Sequence, residues 1–83
     1  MTSDEKLRRE VTEIVAEIAE KSPDEVSADA RLADLGIDSL DGLRIVAAVE
    51  QKYRIVIEEA EIAGIRTMQE IFGLVRKHSA EVE

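Results

Sequence analysis

Cysteine is absent from the 83 residues. No disulfide framework and no thiolate zinc site can form, and any thioester chemistry must take its sulfur from an attached group. Tryptophan is absent too, and Tyr53 and Phe72 are the only aromatic residues, so the core must be aliphatic. Pro23 is the single proline, which leaves few forced breaks in a helix. His78 is the single histidine. A histidine metal cluster is therefore excluded, and no Ser-His-Asp set can be assembled. No apolar run reaches membrane-spanning length, and Met1-Thr2-Ser3-Asp4 is neither basic nor apolar. The expectation is a soluble cytoplasmic protein with no membrane partner.

Positive charge is also in short supply. Eleven basic residues face nineteen acidic ones, for a formal charge of −8. That argues against nucleic acid and for partner proteins carrying basic patches. Apolar residues make up 45% of the chain, enough for one domain with a small core, spanning 1–83 and expected to be monomeric.

What is present is helical periodicity. Leu7, Val11, Ile14, Val15 and Ile18 share one face of a helix from Thr2 or Ser3 to Glu20, with Glu10, Glu13, Glu17 and Glu20 on the solvated side. Residues 21–38 are the longest connection. Ser22 as N-cap and Pro23 in the first turn predict a short helical turn there, with Val26, Leu32, Leu35 and Ile37 pinning the loop to the core. Its acids do not have the spacing of a calcium loop.

A second helix is predicted from Ser39 to Tyr53. Leu43, Ile45, Val46, Ala47, Val49 and Tyr53 cover a wide arc, so this helix should be the most buried. Asp41, Arg44, Ala48 and Gln51 form an outward stripe. Gly42 costs about 1 kcal/mol of helix propensity relative to alanine, which suggests close approach of something to the backbone. Arg54 to Glu58 is β-branched but has no second strand to pair with; it reads as an extended linker burying Ile55 and Ile57. A short third helix from Glu59 to Ile62 ends at Gly64. A capping box, Thr67 to Glu70, opens the last helix, on which Met68, Ile71, Phe72 and Val75 recur at helical spacing. Arg76 and Lys77 are expected near its C-terminus, where the dipole favours cations, and Ser79 to Glu83 should fray.

The centre of the sequence is Leu35-Gly36-Ile37-Asp38-Ser39-Leu40-Asp41. Gly36 can end the preceding turn at positive φ. Asp38 can cap the second helix by accepting from backbone N–H groups. Ser39 then becomes the first helical residue, displayed at the positive end of the dipole. Taken alone, this is an ordinary capped helix start.

With its surroundings, the stretch Leu32 to Asp41 resembles the attachment site of acyl carrier proteins, and the layout from Leu7 to Val75 resembles the whole carrier. The resemblance implies an all-α, four-helix bundle with a short third helix. It implies a 4′-phosphopantetheine arm, taken from coenzyme A by a phosphopantetheinyl transferase and attached to Ser39. Asp38 and Leu40 match the residues flanking the modified serine, and Asp41 and Glu50 match acids that meet basic residues of partner enzymes. Leu43 and Arg44 lie on the same partner-facing helix. Val46, Val49, Ile57, Ile65 and Met68 match apolar positions of the core or acyl pocket, and a plain core role serves them equally well. Acyl transferases and ketosynthases with basic docking patches are the implied partners, in fatty-acid or polyketide-type biosynthesis.

Four residues depart from the fatty-acid pattern. Arg44 stands where a glutamate is usual, Glu58 where proline is common, and Ala63-Gly64 make the third helix less acidic. They point to a specialised carrier. The expected role is that of a covalent substrate for other enzymes rather than a catalyst, with no catalytic and no metal-binding residues. A peptidyl or aminoacyl carrier and an unmodified acidic helical adaptor remain as alternatives.

Overall fold

A computed structural model describes residues 3–82, whose regular secondary structure is all helical, with no strand among the described residues. Helix α1 runs Ser3–Ala19, α2 Ser39–Tyr53, α3 Glu59–Ala63 and α4 Met68–Val82. Two 3-10 turns, Pro23–Glu25 and Leu32–Leu35, punctuate the long connection between α1 and α2. The Thr2 start and Glu83 lie outside the described residues. None of the described helices is long and apolar enough to cross a membrane.

The core is aliphatic around one ring. Phe72 and Met68 of α4 are fully buried against Val11 and Val15 of α1 and Ile45 and Val49 of α2. Burying each such side chain stabilises the fold by about 1.5–3 kcal/mol. The α1 stripe is centred on Val11, Val15 and Ala16, with Leu7, Ile14 and Ile18 half-buried beside them. Helix α2 is not the most buried element. Only Ile45, Val46 and Val49 are buried on it, while α4 buries Met68, Ile71, Phe72 and Val75. Leu43 and Ala47 face solvent, because the arc that α1 and α4 can cover is narrower than the apolar arc α2 presents.

The long loop is anchored by backbone pairing. Arg31 and Thr67 form an isolated antiparallel bridge, in which Leu32 N–H donates to the Arg66 carbonyl and Met68 N–H to the Ala30 carbonyl, both at 3.0 Å. The Ser22 N–H donates to Glu25 Oε2 at 2.9 Å, closing the first 3-10 turn. Arg54 to Glu58 is extended, with Ile55 and Ile57 buried and Val56 turned outward between them. Arg54 ends α2 in the left-handed region at φ 55°, a conformation usually given to glycine or asparagine.

Polar contacts tie the helices at their edges. The Tyr53 hydroxyl of α2 donates to Glu10 Oε1 of α1 at 3.0 Å. Arg76 of α4 reaches Asp4 of α1 at 3.1 Å, and the Arg8 guanidinium stands 5.3 Å over the Phe72 ring. Helix α4 runs on to Val82, past the point where fraying is expected from the sequence. Arg76 and Lys77 therefore lie inside it and meet acids of other helices rather than its own last carbonyls.

Candidate functional site

Gly36 and Asp38 set up the start of α2. Gly36 sits at φ 79° and closes the second 3-10 turn, its N–H donating to the Ala33 carbonyl at 3.1 Å. Asp38 is extended and caps the helix: its Oδ1 accepts from the Asp41 N–H at 2.8 Å. This contact satisfies one of the orphan donors of the first turn. Ser39 is the first helical residue and is exposed. Leu40 and Leu43 flank it on the outer surface, 67% and 53% exposed. Arg44 Nη1 lies 3.5 Å from Asp41 Oδ1, an exposed pair worth a few tenths of a kcal/mol, or about 0.3.

Beside Ser39 opens a cavity of about 870 Å³ between α2, α3 and the start of α4. Asp38, Ser39 and Gly42 stand on its wall together with Val46, Val49, Ile57 and Ile65. Met68 does not: it is wholly enclosed in the core. A Cβ built at Gly42 meets nothing within 4 Å. No other segment of the chain fills that side of the helix; what lies beside the Gly42 backbone is open cavity.

Glu50, expected on the partner-facing side, is half-buried. Its Oε2 accepts from the Ile57 N–H at 2.9 Å, so one oxygen is engaged inside the fold. On the far edge of the cavity, α3 is held to α4 by Glu61. Its carboxylate contacts His78 Nε2 at 3.0 and 3.1 Å and Lys77 Nζ at 3.4 Å. Partial desolvation pushes the Glu61 carboxyl up, but hydrogen bonds from His78, the Glu58 N–H and Lys77 outweigh it and hold it below the ordinary carboxylate range. Sequence reading missed this cluster; periodicity says nothing of contacts between α3 and α4.

The sequence model of the family described as "Phosphopantetheine attachment site" matches residues 9–75. The chain belongs to this family. An acyl carrier protein of Rhodococcus erythropolis is 35% identical over 78 residues, 93% of this chain and 86% of that protein. A non-reducing polyketide synthase of Aspergillus terreus is 33% identical over 75 residues, which cover 90% of this chain and 3% of that much longer protein. The crystal structure of an acyl carrier protein from Thermotoga maritima superposes with a TM-score of 0.84 at 29% identity, covering 96% of this chain and 94% of that one. This acyl-carrier chain is a phosphopantetheine-dependent protein with relatives in single-domain carriers and in a polyketide synthase.

The site's own features suit that prosthetic group. A primary hydroxyl, exposed at a helix start, stands at the rim of a largely apolar hollow. An anionic phosphodiester on that hydroxyl would meet the positive end of the α2 dipole.

Proposed function

We propose that Ser39 carries the 4′-phosphopantetheine arm and that the domain presents acyl groups to enzymes of fatty-acid or polyketide-type synthesis. The observation that carries this reading is the position of Ser39: first residue of α2, exposed, and on the wall of the cavity. The arm, when bound, supplies the thiol that the cysteine-free chain lacks, and so holds acyl groups as thioesters.

The chain's residues do the rest. Asp38 fixes the first turn of α2 and so fixes where the Ser39 hydroxyl points. Val46, Val49, Ile57 and Ile65 offer an apolar wall to a cargo that would otherwise face water. Leu40 and Leu43 give a partner enzyme an apolar contact, framed by Asp41 and Arg44. Tethering raises the effective concentration of the cargo once a partner has docked, and the chain itself acts as a covalent substrate rather than a catalyst. His78, the one histidine, contacts Glu61 and is not on the cavity wall that Ser39 shares.

The partners fitting this surface are a phosphopantetheinyl transferase, then acyl transferases and ketosynthases with basic patches that complement the charge of −8. Incubation with coenzyme A and a broad-specificity transferase tests the reading by intact mass. A gain of one arm per chain is expected. Protein left unchanged would mean an unmodified adaptor.

A further inference from the structure

Ser39, Gly42, Val46 and Val49 follow one another at i, i+3, i+7 and i+10 on α2, and all four stand on the cavity wall. That spacing keeps them on one face of the helix. Exposure falls along the row: Ser39 is exposed, Gly42 half-buried, Val46 and Val49 buried. At 1.5 Å of rise per residue, Gly42 lies about 4.5 Å along the axis from Ser39, and Val46 about 10 Å. The row is a track from the hydroxyl at the rim to the apolar interior, and position 42 is its first step inward.

That step carries no side chain, and nothing within the chain requires this. Gly42 lies inside α2; among the described residues Gly36 is the glycine at positive φ. A Cβ at position 42 would meet nothing within 4 Å. Alanine would fit there and would remove the entropic penalty of a glycine within a helix. The stability forgone is accounted for if the space serves a group that is not part of the chain. Gly42 faces the hollow, whereas its neighbours Leu40 and Arg44 stand exposed and off the cavity wall. An attached group reaches that side of the helix more directly than a partner enzyme does.

We propose that Gly42 is the threshold of the cavity: its bare backbone lets the group attached at Ser39 turn down the α2 track toward Val46 and Val49. The inference rests on the reading that Ser39 carries the arm. A methyl group at position 42 narrows the track where the arm must bend, and a leucine side chain fills it.

The experiment uses the full chain as wild type, Gly42→Ala, Gly42→Leu and Gly73→Ala, each unmodified and loaded from octanoyl-coenzyme A. Gly73 is the control. It too is helical, with open space around a Cβ, but it is exposed on α4 and off the cavity wall. Gly42→Ala and Gly73→Ala should each raise the melting temperature of the unmodified chain by about 4 °C. Loading with octanoyl should raise the wild-type melting temperature. That increment should be unchanged in Gly73→Ala, smaller in Gly42→Ala and smallest in Gly42→Leu. Nuclear Overhauser contacts between the arm and the Gly42 α-protons are expected in loaded wild type, and they decide the matter should a variant fold poorly. Equal increments in all four chains, without those contacts, would overturn the proposal and leave Ser39 modification intact. A full increment in Gly42→Ala combined with slow modification by the transferase would give the empty position to a partner enzyme, and would overturn it as well. A chain that takes up no arm would overturn the Ser39 reading and this inference together.

Discussion

The Glu50 carboxylate accepts a hydrogen bond from the backbone N–H of Ile57 at 2.9 Å, across seven residues of chain. It ties the end of α2 to the extended linker and holds Ile57 against the cavity. Removing the acceptor leaves a half-buried N–H without its partner. Glu50→Ala is predicted to lower stability by about 1–2 kcal/mol in urea unfolding. Glu50→Gln should lose less, since its amide oxygen can still accept.

Asp38 is the cap of α2. Asp38→Ala is predicted to cost about 1 kcal/mol, and Asp38→Asn much less. Amide hydrogen exchange should show the loss first at the Asp41 N–H, the donor of that bond.

These two residues mark what the sequence did and did not make legible. The Asp38 cap spans three residues, and short-range capping geometry follows from residue type. The burial of Ile55 and Ile57 around exposed Val56 followed from alternation and from the lack of a pairing strand. The Glu50 contact, by contrast, depends on how α2 meets a linker with no regular period. The Tyr53–Glu10 bond joins positions 43 apart in sequence, and the Glu61–His78 contact positions 17 apart. No local pattern encodes such pairs. Nor could residue type separate Met68, the first residue of α4 and enclosed in the core, from Ile65 on the cavity wall in the loop before it, since both are apolar. The free left-handed turn at Arg54 carries no glycine or asparagine to announce it.

Tyr53 gives a prediction at high pH. Burial, the hydrogen bond to Glu10 and the Glu10 charge all push its hydroxyl well above the ordinary value. A group raised in the folded state contributes stability that is complete below its unfolded value, near pH 10, and lost as pH climbs beyond it. Tyr53→Phe should therefore be less stable than wild type by about 1 kcal/mol at neutral pH. Above about pH 10 the gap should close, as wild type loses stability through this hydroxyl and the variant does not. Denaturant midpoints across that range check it.

Glu61 acts at the other end of the scale. Its carboxyl is lowered in the fold, so its contribution is present above the ordinary carboxylate value and lost as pH falls through the folded one. The difference in melting temperature between wild type and Glu61→Gln should narrow between about pH 5 and pH 3. A constant difference would mean that the contacts to His78 and Lys77 do not depend on the carboxylate charge.

The most direct measurement concerns Ser39. Wild type and Ser39→Ala are each incubated with coenzyme A and a phosphopantetheinyl transferase, digested, and mapped by fragment mass. The arm is predicted on the peptide containing Gly36-Ile37-Asp38-Ser39-Leu40, at one per chain, and absent from Ser39→Ala. An arm found on Ser22, Ser27 or Ser79, or an alanine variant still modified, would contradict the account.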